Sequence, residues 1–317
     1  MLLKLVPDNT TIPFLNGKKI AAIFSTLMII ASLGIFFSKG LNLGIDFKGG
    51  ITLEIGTQTE ADVALFRSTI EPLGLGEVAI QEFGDSGREV LIKIESQPAD
   101  EEAGINAAQA QQIAIEKVQG ALAEVMDGLS YRRVNFVGPK VSGELIVDGL
   151  NSVLFAIGAV LLYIWVRFEW QFGLGAVIAL VHDVILTVGF FSITQLEFNL
   201  SIIAAILTIV GYSLNDTVVV YDRVRENLRK FTQMELGDLL NMSLNSTLNR
   251  TVMTSLTTLL ALIALYFLGG PVIQGFTAAM IWGVFVGTYS SVFIAVPALE
   301  FMNLERTVFE EVEDEMP

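Results

Sequence analysis

Residues 172–193 read FGLGAVIALVHDVILTVGFFSI, a run interrupted by one ionisable pair, His182-Asp183, near its middle. An α-helix needs about 20 apolar residues to cross roughly 30 Å of hydrocarbon, so this run predicts a membrane-spanning helix. At a rise of about 1.5 Å per residue, Asp183 lies roughly 16 Å into it. Five more apolar runs surround this one: 20–37 behind Lys18 and Lys19, 145–166, 200–221, 252–268 and 272–296. Together they predict a polytopic α-helical membrane protein with six transmembrane helices. A β-barrel requires short alternating segments instead, and the sequence offers none. A mean hydropathy of +0.60 and 52% hydrophobic residues agree, since lipid must solvate much of such a chain.

The turns at 167–171 and 195–199 are short, which makes spans two, three and four antiparallel neighbours. Lys4, Lys18, Lys19, Arg167, Arg223, Arg225, Arg229, Lys230, Arg250 and Arg306 all fall on the side of the termini, whereas 195–199 and 269–271 carry no Lys or Arg. That bias predicts cytoplasmic termini and an external segment at 39–140. The expected division is therefore a cytoplasmic N-terminus at 1–19, span one at 20–38, an external domain at 39–140, spans two to six at 141–299, and a cytoplasmic tail at 300–317. The first run reads as a retained anchor, because no A-x-A-like cleavage site follows it. A net charge of -15 argues against a basic patch for nucleic acid or an anionic membrane surface. Much of the acid sits in the external segment and in the tail residues Glu310, Glu311, Glu313, Asp314 and Glu315, which read as a solvated, disordered end. With no cysteine, the external domain must fold on its core alone.

Within 39–140 the periodicity is legible. Ile51, Leu53 and Ile55 alternate as a strand; Val63, Phe66, Ile70 and Leu73 follow at helical spacing, with Thr59 or Glu60 near the expected helix start. Two β-like runs, 78–83 and 89–95, are joined by Gly84-Asp85-Ser86-Gly87, a hairpin composition. A second helix presents Ile115, Val118, Leu122, Val125 and Leu129, and 131–137 reads as a last strand. The order βαββαβ predicts a ferredoxin-like α+β domain, with two helices on one face of a four-stranded antiparallel sheet. The other face is left for solvent, a partner subunit, or an extended peptide added at an edge.

Charge inside a span is costly, about 2.5 to 3.5 kcal/mol for Asp or Arg at the helix centre, so such residues usually face a cavity or each other. Besides His182 and Asp183, span four carries Asn215 and Asp216, and span five opens with Asn249-Arg250. Span four runs inward and span five outward, so Asp216 and Arg250 reach similar depths and would pair if the helices touch. Arg250, Thr254, Thr257 and Thr258 follow i, i+4, i+7, i+8 and form a polar stripe, which suits either a proton path or close helix packing. Asp216 and Arg250 are the leading functional candidates, followed by Asp183, Asn215 and Thr254. His182, the sole histidine, cannot make a metal site alone and reads as a hydrogen-bonding neighbour of Asp183. Glu144 and Asp148 fall at the outer mouth of span two and Glu300 at the inner end of span six. Gly283 and Gly287 form a G-x-x-x-G that favours close helix packing.

An enzyme is not expected. The sequence holds no G-x-x-x-x-G-K-[ST] loop, no Cys/His cluster and no supported nucleophile-base pair. The glycine-rich 44–50 precedes a strand, not the helix a phosphate cradle uses. No bound cofactor is expected.

Six motifs taken together resemble the SecF family of the bacterial Sec protein-export machinery: Gly44-Ile45-Asp46-Phe47-Lys48-Gly49-Gly50, Phe136-Val137-Gly138-Pro139, Ala179-Leu180-Val181-His182-Asp183, 210–216, Tyr221-Asp222-Arg223-Val224-Arg225-Glu226-Asn227 and Asn249-Arg250-Thr251. The resemblance implies a SecD partner with a similar six-span half, association with the SecYEG channel and YajC, and the pseudo-two-fold architecture of resistance-nodulation-division transporters. It also implies a bacterial inner membrane with 39–140 in the periplasm. The implied task is use of the proton motive force to help unfolded exported polypeptide across, with the family's coupling acid and arginine falling on Asp216 and Arg250. Lys48 departs from the small or uncharged residue more usual there. Two alternatives stand beside this reading: an efflux transporter half of the same superfamily, and a non-energised scaffold of a membrane complex.

Overall fold

The computed structural model describes residues 7, 10–83, 87–99, 103–302 and 304. In chain order it contains α1 (Lys18–Lys39), the single turn α2 (Ile45–Lys48), β1 (Gly50–Gly56), α3 (Val63–Ile70), β2 (Val78–Phe83), β3 (Glu89–Ile94), α4 (Ala107–Val125) and β4 (Ser130–Val137). There follow α5 (Pro139–Arg167), α6 (Trp170–Thr194), α7 (Leu200–Lys230), α8 (Leu236–Leu268), α9 (Pro271–Ser290), a π-helical turn (Ser291–Ala295) and α10 (Val296–Phe301). The hairpin residues 84–86, Lys4 and the tail 305–317 lie outside the described residues.

Among the described residues, six stretches are long and apolar enough to cross a membrane: Phe14–Lys39, Lys140–Arg167, Trp170–Thr194, Leu200–Lys230, Leu236–Leu268 and Val272–Phe301. Two of the helices outrun their apolar sequence. α7 continues to Lys230, and α8 starts at Leu236, far ahead of the expected 252. Hydropathy marks only what lipid would cover, whereas a helix propagates wherever one face can be buried. Here Leu239, Leu240 and Leu244 of α8 bury against a core that includes Tyr221, Val224 and Leu228 of α7.

α6, α7 and α9 make the centre of the bundle, and α1, α5 and α8 lie around them with mostly exposed faces. The centre is tight because α9 approaches α7 through glycine. A Cβ on Gly283 would stand 2.3 Å from Ile209 Cγ1, and one on Gly287 would stand 3.0 Å from Ser213 Cβ. The expected G-x-x-x-G packing is therefore realised, with α7 as its counterpart.

The four strands form one antiparallel sheet in the order β2-β3-β1-β4. Period-2 alternation puts Ile51, Leu53 and Ile55 of β1 and Val90, Ile92 and Ile94 of β3 on one face. They bury there with Phe66 and Ile70 of α3 and Ala114, Ile115, Val118 and Leu122 of α4. Asp62, not Thr59 or Glu60, caps α3: its side chain accepts from the Ala64 and Leu65 amides, the bond a short carboxylate is placed to make. α4 opens with a reciprocal Asn106/Gln109 capping box. Val125 is exposed rather than core; Leu122 before it and Met126 after it make the core contacts at this end of the helix.

The sheet domain is fastened to the bundle by residues 42–50. Gly44 N donates to Phe198 O and Phe198 N donates to Asn42 O, so this segment pairs with the α6–α7 loop. α2, which no apolar period announced, then drops Phe47 among Phe191, Phe198 and Ile202, while the Asp46 carboxylate accepts from Leu200 N at the start of α7 (2.8 Å). An anion at a helix N-terminus meets an unpaired amide and the positive end of the helix dipole. Gly50 has φ 135°, and a Cβ there would meet Ile94 O at 2.5 Å, so the chain can enter β1 this way only as glycine. Lys93 of β3 makes an ion pair with Glu197 of the same loop. At the opposite end of the bundle, Asn245 of α8 holds Ile12 by both its amide and its carbonyl (2.9 and 2.8 Å), and Lys18 pairs with Glu300 (2.6 Å).

Candidate functional site

The centre of the bundle holds two carboxylates on neighbouring helices, Asp183 fully buried and Asp216 part-buried. Asp183, at mid-length of α6, has no exposed surface. Its Oδ2 accepts from Ser213 of α7 (2.6 Å) and from Ser290 at the end of α9 (2.8 Å), and its Oδ1 lies 3.0 Å from His182 Nδ1. His182 is also buried, its ring lies tilted by 31° to that of Tyr289 at 6.1 Å between centroids, and its Nε2 has no hydrogen-bond partner among the described residues. His182 thus contacts its neighbour Asp183 through one ring nitrogen.

Asp216 sits one turn further along α7 from Ser213. Its Oδ1 accepts from Thr251 of α8 (2.5 Å), and its Oδ2 from Ser291 at the start of the π-helical turn (2.6 Å). Four helices thus converge on two acids, which accept four hydroxyl hydrogen bonds of 2.5 to 2.8 Å beside the 3.0 Å contact with His182. Short O–H···O⁻ bonds of about 2.5 to 2.7 Å are charge-assisted and roughly twice as strong as neutral ones. The cluster extends as Ser255···Thr288 (2.7 Å) and Tyr212 to Ser255 (3.4 Å). Among the described residues, no group of acidic, histidine or cysteine side chains is arranged to hold a metal ion.

The expected Asp216–Arg250 ion pair is not formed. Thr251, the next residue of α8, reaches Asp216 in its place, and Arg250, about 100° further round the helix, is exposed on the outer surface of the chain. Thr254 and Thr257 share that surface and donate to carbonyls of their own helix, and Asn215 of α7 is exposed as well. The sequence-predicted residues therefore divide: Asp183 and Asp216 face inward, while Asn215, Arg250 and Thr254 face outward. Ser213, Thr251, Ser290 and Ser291 were missed. A serine in an apolar helix looks the same whether it packs or holds an acid, and only the Ser290-Ser291 doublet offered a hint.

Lys48 ends α2 exposed, next to the mixed-charge recess that includes Glu77, Lys93, Glu95 and Glu197.

Comparison with known proteins adds an independent finding. Residues 117–305 match the family described as "Protein export membrane protein SecD/SecF, C-terminal", and residues 34–61 match "SecD/SecF GG Motif". The protein translocase subunit SecF of Rhodobacter capsulatus is 50% identical over 309 residues, covering 96% of this chain and 92% of that protein. The Rickettsia rickettsii protein of the same name is 45% identical over 306 residues, covering 95% of each. Among solved structures, SecDF from Thermus thermophilus, a translocon-associated membrane protein, superposes with a TM-score of 0.79 at 34% identity. A SecDF structure in a super-membrane-facing form gives 0.66 at 34%. This chain is covered over 96% and 99%, but spans only 40% and 41% of those SecDF chains.

Proposed function

This chain belongs to the SecD/SecF family of protein-export membrane proteins, and from that premise we propose that it couples the proton motive force to Sec-dependent export. It is a multi-pass membrane protein of the Sec pathway. In the proposed arrangement it lies in the bacterial inner membrane with both termini cytoplasmic. The sheet domain is then periplasmic, and its βαββαβ element order with strand order β2-β3-β1-β4 supports reading it as ferredoxin-like. The division expected from the sequence, with 39–140 outside and 141–299 spanning, is kept as part of this proposal.

The observation that carries the coupling role is the pair of neighbouring acids, Asp183 fully buried and Asp216 part-buried, both held by hydroxyl donors. A buried carboxylate whose partners can re-orient is suited to taking a proton in one arrangement and releasing it in another. One proton crossing 100 mV delivers about 2.3 kcal/mol, enough to bias a two-state movement many times over an export cycle. Asn215, Arg250 and Thr254 lie on a polar strip facing outward, a costly surface to leave against lipid. That strip supports a SecD half as partner, since this chain matches two fifths of each SecDF chain. Arg250 then acts across the interface, not on Asp216 within the chain. Contact with the SecYEG channel, YajC and unfolded exported polypeptide belongs to the same proposal, with protons as the sole coupling species and no bound cofactor.

Asp216→Asn tests it. In inverted vesicles carrying the complete translocase, export stimulation by an imposed proton gradient should drop by at least tenfold while ATP-driven export persists. Gradient stimulation that survives intact in the Asp216→Asn variant would reject the coupling role.

A further inference from the structure

Ser290 and Ser291 are consecutive, yet they hold different acids, and they do so where α9 gives way to the π-helical turn. Each hydroxyl has one proton and two acceptors in reach. Ser290 faces Asp183 Oδ2 at 2.8 Å and Gly287 O at 3.1 Å; Ser291 faces Asp216 Oδ2 at 2.6 Å and Thr288 O at 3.1 Å. Gly287 O also accepts the backbone N–H of Ser291, the bond that closes α9. π-Helical turns recur at functional sites, and a hydroxyl turned onto a helix carbonyl weakens and bends the local ladder.

We infer that Asp183, with His182, is a second proton-holding site, and that Ser290-Ser291 links it to Asp216 so that the two carboxylates change state as a coupled pair. The inference rests on reading Asp216 as the proton-coupling acid. When Asp183 is ionised, Ser290 gives its proton to the carboxylate in a hydrogen bond. When Asp183 takes a proton, the acid O–H donates to Ser290 Oγ, and the Ser290 hydroxyl turns to Gly287 O. No proton is gained or lost beyond the one bound. The extra bond on Gly287 O competes with the Ser291 N–H, shifting Ser291 and with it the donor that Asp216 receives. Ser291 acts in the reverse sense through Thr288 O. Both serines are positioning residues.

Other groups around the pair are few. His182 and Tyr289 stand beside Asp183; Thr251 and the outward Arg250 stand on the α8 side of Asp216; Tyr212 reaches Ser255; and Tyr221 donates to Ala295 O at the far end of the π turn. Ser213, one turn before Asp216 on α7, also donates to Asp183 Oδ2 (2.6 Å), so the acids are joined along α7 as well as through the adjacent hydroxyls of Ser290 and Ser291.

The test is infrared difference spectroscopy of the full chain in its membrane complex, reconstituted in lipid vesicles and titrated with pH. Asp183→Asn and Asp216→Asn assign the protonated-carboxyl bands. Asp183→Asn should move the midpoint of the Asp216 band by about one pH unit, the scale at which interacting sites titrate jointly. Placed in a Ser290→Ala background the same change should move it by less than a third of that, and Ser290→Thr, which keeps the hydroxyl, should restore the shift. Ser291→Ala provides the same comparison from the Asp216 side. An equal shift with and without the Ser290 hydroxyl, or none in either, overturns the inference. Coupled bands together with intact gradient stimulation in Asp216→Asn would instead sink the export-coupling reading alone.

Discussion

Tyr131 on β4 shows how a single buried atom sets a pH response. Its ring is half-buried on the helix side of the sheet, while its hydroxyl oxygen is sealed and has no hydrogen-bond partner among the described residues. Burial raises its pKa above the ordinary value near 10. Below that ordinary value the phenol is neutral folded or unfolded, and the shift costs nothing. Above it the unfolded chain releases the proton before the folded one does, so stability falls as pH rises. Tyr131→Phe removes both the unpaired hydroxyl and the titration. Denaturant melts at about pH 8 and about pH 10.5 should show the variant no weaker at the lower pH, and stronger by roughly 1 kcal/mol if the hydroxyl's desolvation is unrelieved. At the higher pH its advantage should grow; an advantage that shrinks would contradict the sealed environment. Asp62 makes a related point about legibility. Its neighbour Thr59 is also of a type that caps helices, and the backbone turn decides which oxygen meets the free amides.

At the level of elements, the pairing of α9 with α7 governs the spacing of the acids. Gly283 admits Ile209, and Gly287 admits Ser213, which in turn holds Asp183. Gly283→Leu forces the helices apart and should lower stability by about 1 to 3 kcal/mol, read as a fall of several degrees in melting temperature in detergent. Gly275→Ala, two turns toward the start of the same helix, meets Ile202 at an ordinary 3.5 Å and should melt within a degree of the parent. Equal losses at both positions would assign the cost to α9 at large. Existence and type of the long elements were legible because hydropathy and period-2 alternation are local properties of the chain. The reach of α7 and α8 was not, since it depends on faces that bury only after folding. The serine and threonine contacts of the site were hidden for the same reason: Ser290 reaches Asp183 across 107 positions and Ser291 reaches Asp216 across 75.

Viewed whole, the chain is half-finished on one side. α5 exposes Leu154, Phe155 and Leu162, fit for lipid, whereas Asn215, Arg250, Thr254 and Thr257 expose polar groups along α7 and α8. Because the natural chain has no cysteine, single-cysteine variants report cleanly on this difference. Thr254→Cys should cross-link to the neighbouring subunit of the purified translocase, and Phe155→Cys should not; the reverse pattern would move the partner to the other face. The depth argument from sequence was sound in bringing span five alongside Asp216, but one residue of phase separates Thr251 from Arg250, and hydropathy has no such resolution. A last consequence concerns leverage. α7 runs unbroken from Leu200 to Lys230, a rod of roughly 46 Å, with Asp216 near its midpoint and Asp46 gripping its first amide. A tilt of about five degrees pivoting at Asp216 would carry the far end through about 2 Å, given some 24 Å of arm at about 1.5 Å per residue. Ångström-scale rearrangement around a carboxylate thereby reaches, through Asp46 at the far end of α7, the segment that leads into the sheet domain.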